Sequence, residues 1–546
     1  MEEKSANRGF LILSIAGIAS KIISVFYIPL LQRILGLSGY GIYQNCYEVF
    51  LFAYAITNLG TQPAIAKVVA ELTALEKHED AIRTLKISRT LLALVGGVIS
   101  IVLMMFAFPI GNLIGNPEAS YGILLLAPSI FITSILSSYR GFFQGKSSMN
   151  AIAVSQVVEQ IINILVSLTC AFLLVKISIA YGSAGGTIGT SVGALVACLY
   201  MVYVYDKKNF EEEAIEAQAA SNKKRVRSKS IIRKLIRYGL PITLTAGLQN
   251  FGSLVDMVNV NSRLAHAGFT LQKAQELYGV LGRYKTLLSV PLIIVTALGT
   301  TVLPAIAAAM ALKNKKDIRK KTGFAFRVTF IITIPAAVGL SCLASEVFEL
   351  LYGTSQGYEL MMVGSIVLVI QSVVQIQTTI LQSMNKLYFV LFTFSLGIVA
   401  KIVANFILVG IPSINILGVV AGNFLWFLIP MILNSIALNK ALRVRIAFLP
   451  NMIKPCISSL AMAGVIFALK QPAEIILSIT NGGKVLSGVM TLIMIAIGGC
   501  IYLYLMILIG GLNKEDLDSI SGKIYRVLPR FLRKRMRWYQ LKVENQ

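Results

Sequence analysis

The chain has 546 residues, 56% hydrophobic and only 14% charged, a balance that excludes a soluble multidomain protein, which exposes far more charge. Its formal net charge of +25 lies between apolar runs, so the partner it fits is anionic phospholipid at the cytoplasmic face of a membrane and not nucleic acid. The six cysteines stand singly without a C-x-x-C pair, which suggests neither a disulfide framework nor a thiolate metal site.

The opening "MEEKSANR" carries two acidic residues and leads into an apolar run without a small-residue cleavage site, so no removed signal peptide is expected. Runs of about 20 apolar residues, each enough to cross a hydrocarbon core of about 30 Å as a helix, then recur along the chain. Fourteen are predicted, near 9–31, 42–66, 90–110, 121–143, 152–175, 183–205, 235–262, 285–311, 323–343, 360–383, 387–410, 415–438, 447–469 and 485–510. An even number puts both ends on one side. The segments on that side hold 40 of the 50 Lys and Arg residues, which predicts cytoplasmic termini.

The polar stretch "DKKNFEEEAIEAQAASNKKRVRSKS" (206–230) separates crossings six and seven. Pro63 and Pro304 lie 241 positions apart, and the i, i+4 pairs Glu159/Asn163 and Lys401/Asn405 are offset by 242. Both suggest that crossings seven to twelve repeat one to six. Because each half has an even number of crossings, the halves enter in the same orientation and should enclose a central cavity. The expected fold is therefore an all-α integral membrane protein of fourteen transmembrane helices. Its expected parts are an N-lobe (1–206), a cytoplasmic linker (207–234), a C-lobe (235–440), two extra helices (441–510) and a basic cytoplasmic tail (511–546).

Several crossings carry polar residues at helical spacing. Crossing one has Ser14, Gly17, Lys21 and Ser24 on one narrow face; crossing five has Gln156, Glu159, Gln160, Asn163 and Ser167; crossing seven has Gln249, Ser253, Asp256 and Arg263. Amides in such places act as interhelical glue as readily as they line a path, at about 0.6 kcal/mol per contact. Ionisable residues point more strongly to a cavity, because a lysine at the centre of a membrane helix costs about 2.5–3.5 kcal/mol on insertion scales. For Lys21, Glu159, Asp256 and Lys401 the alternative is a structural ion pair, such as Lys21 with Glu159, or Asp256 with Arg263 or Arg283. A second cationic group gathers near the outer mouth: Arg33, Arg263, Arg283 and Lys285, the last two in "LYGVLGRYKTLLSVP". Arginine grips phosphate oxygens with a fork of donors and lysine adds a compact charge, so a moving anion could satisfy both clusters in turn. There is no G-x-x-x-x-G-K-[ST] loop, no H-E-x-x-H and no G-x-S-x-G, and His78 and His266 make no metal cluster. Neither catalysis nor a cofactor is expected.

Three stretches carry a family likeness: "SKIISVFYIPLLQRILGLSGYGIYQ" with "QPAIAKVVAE", then "YRGFFQGKSSMNAIAVSQVVEQIINI", then "YGSAGGTIGTSVGAL". With "YGLPITLTAGL" and "LPAIAAAM" in the second half, the chain resembles the stage V sporulation protein B and polysaccharide biosynthesis branch of the multidrug, oligosaccharidyl-lipid and polysaccharide exporter superfamily. The resemblance implies two six-helix lobes around a V-shaped cleft in the bacterial plasma membrane. It also implies flipping of an undecaprenyl-pyrophosphate-linked sugar, foremost lipid II for peptidoglycan, by alternating access.

Lipid II flippases of that superfamily use cationic residues on crossings one, two and eight, and by position Lys21, Arg33, Arg283 and Lys285 match them as diphosphate ligands. Crossing two departs from the pattern, offering Glu48 and Lys67 but no arginine. Glu48, Gln144, Gln156, Glu159, Asn163, Asp256, Arg263 and Lys401 are then candidates for sugar or peptide contacts or for coupling. Membrane potential or an ion gradient is the implied driving force, and cell-wall synthesis proteins are possible partners. Export of another lipid-linked oligosaccharide, such as a capsule or teichuronic unit, is the alternative reading. A drug or cation antiporter fits less well, because its cavity should favour acidic residues. A membrane glycosyltransferase would carry its catalytic carboxylates or arginines on a large outward loop, and the outward loops here are short.

Overall fold

The computed structural model describes residues 2–210, 225–311, 315–384, 386–442, 448–479 and 483–512. Side chains before Ile23, at Val25, at 297, and over 300–305 and 307–315 fall outside the description, as do half of the linker (211–224) and nearly all of the basic tail. Among the described residues every regular element is helical, as hydrocarbon requires of a chain that must satisfy its own backbone hydrogen bonds. Twelve helices among the described residues are long and apolar enough to span a membrane. They account for twelve of the fourteen expected crossings; the remaining two are the start of the first helix and the seventh crossing.

Helix α1 (Glu2–Tyr54) has 53 residues, far more than one crossing needs, and carries crossing one and the start of crossing two. Where the sequence suggests a loop, the helix instead turns on a single residue, Gly36, at φ 71° and ψ −179°. That left-handed region strains any side chain with a Cβ. Crossing two is not one helix either. A π-helical turn (Ala55–Leu59) follows α1, and α2 (Thr61–Ala74) starts after Gly60. The turn aims Asn58 into the neighbouring helix, where its amide donates to Thr133 at 3.3 Å and its carbonyl accepts from Ser137 at 2.9 Å.

Next come α3 (His78–Leu113), α4 (Ala119–Gly145), α5 (Met149–Leu174) and α6 (Ile179–Lys207). On α3, Leu94, Val98, Ile101, Val102 and Met105 lie exposed at helical spacing, an apolar stripe suited to lipid. The opposite faces of these helices pack around Phe142, Phe143, Tyr139, Met201 and Ile152.

Helix α7 (Ser228–His266) is long enough to span, yet it falls outside the twelve apolar helices. Buried Asp256 and Asn261 are among the polar residues it carries. At the start of α7 the chain is clasped to α2 and α3. Buried Asp80 accepts from the backbone of Val226 at 2.9 Å, Lys234 pairs with Glu71 at 2.9 Å, and Arg225 pairs with Glu79. Helix α8 (Leu271–Ala311) follows.

The chain then continues through α9 (Lys315–Cys342), α10 (Ala344–Tyr352), α11 (Tyr358–Gly364), α12 (Ile366–Ser383), α13 (Leu387–Leu408), α14 (Gly418–Leu442), α15 (Phe448–Ile479) and α16 (Lys484–Leu508). Crossing ten, expected as one helix over 360–383, is interrupted at Ser365 between α11 and α12.

Two compact units result. One comprises Met1–Leu287 with Leu387–Trp426; the other comprises Leu288–Lys386 with Phe427–Gln546. In the first, α7 packs on α1, α2 and α3 as well as on α13. The second is built on α9 against α15, where Phe326 and Phe330 meet Phe448 edge-on. Its ties include Tyr502 donating to the carbonyl of Ile331 at 2.8 Å and Lys470 paired with Glu346 at 2.6 Å.

Candidate functional site

Within the first unit, four helices each send a charge to one place. Lys285 of α8 donates to Glu48 of α1 at 2.9 Å and lies 3.4 Å from Asp256 of α7. Asp256 in turn faces Lys401 of α13 at 3.0 Å. Two cations thus meet two anions in a chain that runs Glu48, Lys285, Asp256, Lys401. Lys401 and Asp256 are 0% and 1% exposed, so neither charge could persist there without the other. Lys285 keeps a quarter of its side chain accessible and is the less buried of the two cations in this network.

The surroundings fix the inner half of the network. Asn405, one turn along α13 from Lys401, donates to Asp256 Oδ1 at 2.9 Å. The Lys401 ammonium lies 4.0 Å from the centre of the Trp426 ring on α14, a cation–π contact. Gly422, one turn before Trp426, sits against the Asn405 side chain so closely that a methyl group there would collide with Asn405 Oδ1. The absence of a Cβ is what lets α14 close over this pair.

Further polar contacts join α1 to α7 and α8. Arg283 is almost wholly buried, and its Nε donates to Gln32 at 2.9 Å. Tyr40 and Thr286 share a hydrogen bond of 3.4 Å, Gln44 donates to Tyr40, and Asn261 donates to Asn45 at 3.3 Å. Near the start of α8, Gln275 accepts from Ser38 at 2.7 Å and donates to Glu118 at 2.8 Å. Along α1 the rings of Tyr40, Tyr43, Tyr47, Phe50 and Tyr54 contact one another in sequence, at centroid separations of 6.1, 5.5, 5.4 and 5.8 Å.

A second ion pair lies in the same unit. Arg140 of α4 pairs with Glu159 of α5 at 2.7 Å, while its Nε donates to Ser155 at 3.0 Å. Gln62 donates to Gln144 at 3.1 Å, and Asn163 accepts from Ser167 at 3.1 Å. Gln156 is half-buried.

The structure therefore brings Glu48, Asp256, Lys285 and Lys401 together and sets Glu159 with Arg140 in another pair. Neither pairing suggested from sequence for Asp256, with Arg263 or with Arg283, is the one found. Arg263 instead lies 4.1 Å from the Phe406 ring centre and along Gly410, and Asp256 takes the two lysines. Arg33 is exposed. Lys21 falls on α1, but its side chain lies outside the described residues, so Glu159 is assigned no contact with it.

Sequence reasoning missed three participants. Arg140, counted among the cytoplasmic basic residues, is buried in α4, and its four-residue distance from Gln144 on the same helix was the available signal. Gln32 was overlooked because it stands next to Arg33, and Trp426 because an aromatic in an apolar run reads as packing. No group of three or more metal-ligating side chains occurs among the described residues.

Residues 6–310 match the family described as polysaccharide biosynthesis protein. Three Bacillus subtilis (strain 168) proteins are similar over most of their lengths. They are an uncharacterized membrane protein, YabM (26% identical, 97% of both chains), the lipid II flippase MurJ (24%, 96% of this chain and 98% of that one) and the stage V sporulation protein B (25%, 82% and 86%). Among solved structures, the inward closed conformation of a lipid II flippase MurJ superposes with a TM-score of 0.66 at 16% identity, covering 91% of this chain and 98% of that one. The fold is that of the exporter superfamily. The named functions among these relatives are those of transporters, not enzymes.

Proposed function

The chain belongs to the polysaccharide biosynthesis protein family, and on that premise we propose that it is a flippase for an undecaprenyl-diphosphate-linked sugar, foremost lipid II. The observation that carries the reading is Lys285, a quarter of its side chain accessible, held in a charge network with Glu48 and Asp256 on the helix that also carries the buried guanidinium of Arg283, inside helices otherwise built for lipid. Positive charge is costly in that setting, and a phosphorylated headgroup is the cargo that makes use of it. The likeness to the B. subtilis lipid II flippase over nearly the whole of both chains supports the same class of cargo.

A sugar diphosphate cannot shed its water into hydrocarbon without replacement donors. Lys285 offers three N–H donors on a flexible stem, and Arg33 offers an exposed fork. Arg283, being buried, adds its charge from behind and holds α8 to α1 through Gln32. Lys21, on crossing one, completes the set of four diphosphate ligands. Gln144, Gln156 and Asn163 are available to the sugar or peptide part. The lipid tail stays in the bilayer while the lobes, 1–206 and 235–440, alternate access between leaflets. Transport needs a difference in affinity between the two states, and membrane potential supplies about 2.3 kcal/mol per charge per 100 mV. The location is the bacterial plasma membrane with both termini cytoplasmic, in line with the 40 of 50 basic residues on that side.

The test is rescue. In a bacterium depleted of its own lipid II flippase, this chain should restore growth and the outward exposure of labelled lipid II. Failure there, with rescue of a capsule or teichuronic export mutant, replaces lipid II by another lipid-linked oligosaccharide.

A further inference from the structure

We infer that Glu159 of α5 binds the uncharged, donor-rich part of the headgroup, its sugar hydroxyls and amide N–H groups, in a subsite that Arg140 fixes from behind and Tyr47 and Tyr54 of α1 wall. The inference deepens the flippase reading given above and rests on it.

Helix α5 has two unlike faces. Val154, Ile161, Leu165 and Phe172 are exposed at spacings of seven, four and seven residues, which places them on one side as a stripe for lipid. With 3.6 residues per turn, Gln156, Glu159 and Asn163 fall on the opposite side, yet each keeps part of its surface accessible. What they meet is therefore an internal space, in the unit where α5 packs on α1 and α6. Burial within the ion pair is unequal: the Arg140 side chain is 9% exposed and that of Glu159 27%. Arg140 is committed, with one nitrogen on Glu159 at 2.7 Å and Nε on Ser155 at 3.0 Å. A carboxylate has about four acceptor positions, and one guanidinium nitrogen takes one of them. Glu159 thus keeps acceptor capacity on its accessible side while Arg140 offsets its charge, so the site draws donors without repelling a phosphorylated lipid.

Helix α1 supplies the other wall. Gln44, Tyr47, Leu51 and Tyr54 follow one another at i, i+3, i+7 and i+10, all half-buried, and the two tyrosines lie within electrostatic reach of Glu159. A tyrosine offers a flat apolar face and a polar tip, which suit the C–H face of a sugar ring and its hydroxyls. Tyr47 is also next in sequence to Glu48, the partner of Lys285. From Glu48 to Tyr54 the helix rises about 9 Å. The sugar subsite therefore lies a short step along α1 from Lys285, as a headgroup with its sugar attached directly to the diphosphate requires. No charge has to leave its partner for this ligand to bind.

The experiment compares the full-length wild type with Glu159→Gln, Tyr54→Leu and the double variant Arg140→Gln/Glu159→Gln in detergent. Affinity is measured by native mass spectrometry for two probes, undecaprenyl diphosphate and undecaprenyl-diphosphate-linked N-acetylglucosamine, and the ratio of the two is the gain from the sugar. The wild type should bind the sugar-bearing probe more tightly. Glu159→Gln loses the charge that strengthens its accepted bonds and should cut the gain by up to about tenfold, leaving affinity for the bare diphosphate in place. Tyr54→Leu keeps the ion pair and should cut the gain a few-fold. The double variant leaves no buried guanidinium unpaired, so it serves if Glu159→Gln alone fails to fold, and it should show the same loss. A sugar gain equal in all four proteins, or absent from the wild type, overturns the subsite and leaves a structural ion pair, while the flippase reading stands on binding of the bare diphosphate. Equal weakening of both probes in Glu159→Gln overturns it too, since the residue then serves the diphosphate or the fold as a whole. A wild type that binds neither probe ends the flippase reading and this inference with it.

Discussion

Replacing Lys401 by Met removes the ammonium that Asp256 faces at 3.0 Å in a site where neither residue is more than 1% exposed. Breaking a buried ion pair from one side costs about 3–5 kcal/mol, because the remaining charge is left without its partner. Here Lys285 still lies 3.4 Å from Asp256 and Asn405 still donates to it, so part of the loss is recovered. The cation–π contact with Trp426 is lost too, a term of about 0.5–2 kcal/mol. A net destabilisation of about 2–4 kcal/mol follows. Asp256→Asn should destabilise at least as much, since it leaves Lys401 fully buried without its carboxylate. The double variant should stand above both single variants, because two neutral residues of similar size remove the desolvation cost together with the attraction. The assay is thermal unfolding in detergent of the wild type, both single variants and the double, read as a double-mutant cycle with an expected coupling of about 2 kcal/mol or more. A double variant whose midpoint drops by the sum of the two single drops would refute the reasoning, since the residues would then be contributing independently.

Arg283→Ala should weaken undecaprenyl diphosphate binding by about tenfold or less, the scale of a charge that acts from behind the site without direct contact. Gln32→Ala should reproduce a smaller part of that loss by removing the bond that orients Nε; unchanged affinity in Arg283→Ala removes it from the site. Lys21→Ala should insert as well as the wild type or better while abolishing flipping, followed as outward exposure of labelled lipid II. Unimpaired transport by a well-expressed variant would count against its role. Gly422→Ala should cost about 1–3 kcal/mol by pushing Asn405 off Asp256, measured by the same unfolding assay. The cost should shrink in an Asn405→Ala background, and an equal loss in both backgrounds would place the clash elsewhere.

Apolar length by itself determined that this is a helical membrane protein, because about 20 apolar residues have few other stable destinations. Twelve of the fourteen expected crossings meet that description as helices. The polar stripe on crossing seven was likewise legible, since the 3.6-residue period fixes which residues share a face. Periodicity does not say which helix that face will meet. Asp256 and Asn405 are 149 positions apart and Glu48 and Lys285 are 237 apart, and only packing made them neighbours. The turn at Gly36 and the π-helical turn at Ala55–Leu59 were hidden for a different reason: both are local departures in backbone angle that leave little trace in composition. Sequence supplied the charges and the membrane supplied the cost of leaving them unpaired. Which charge answers which was decided by the tertiary structure, because in a medium that solvates no ion each buried charge needs a partner within a few ångströms.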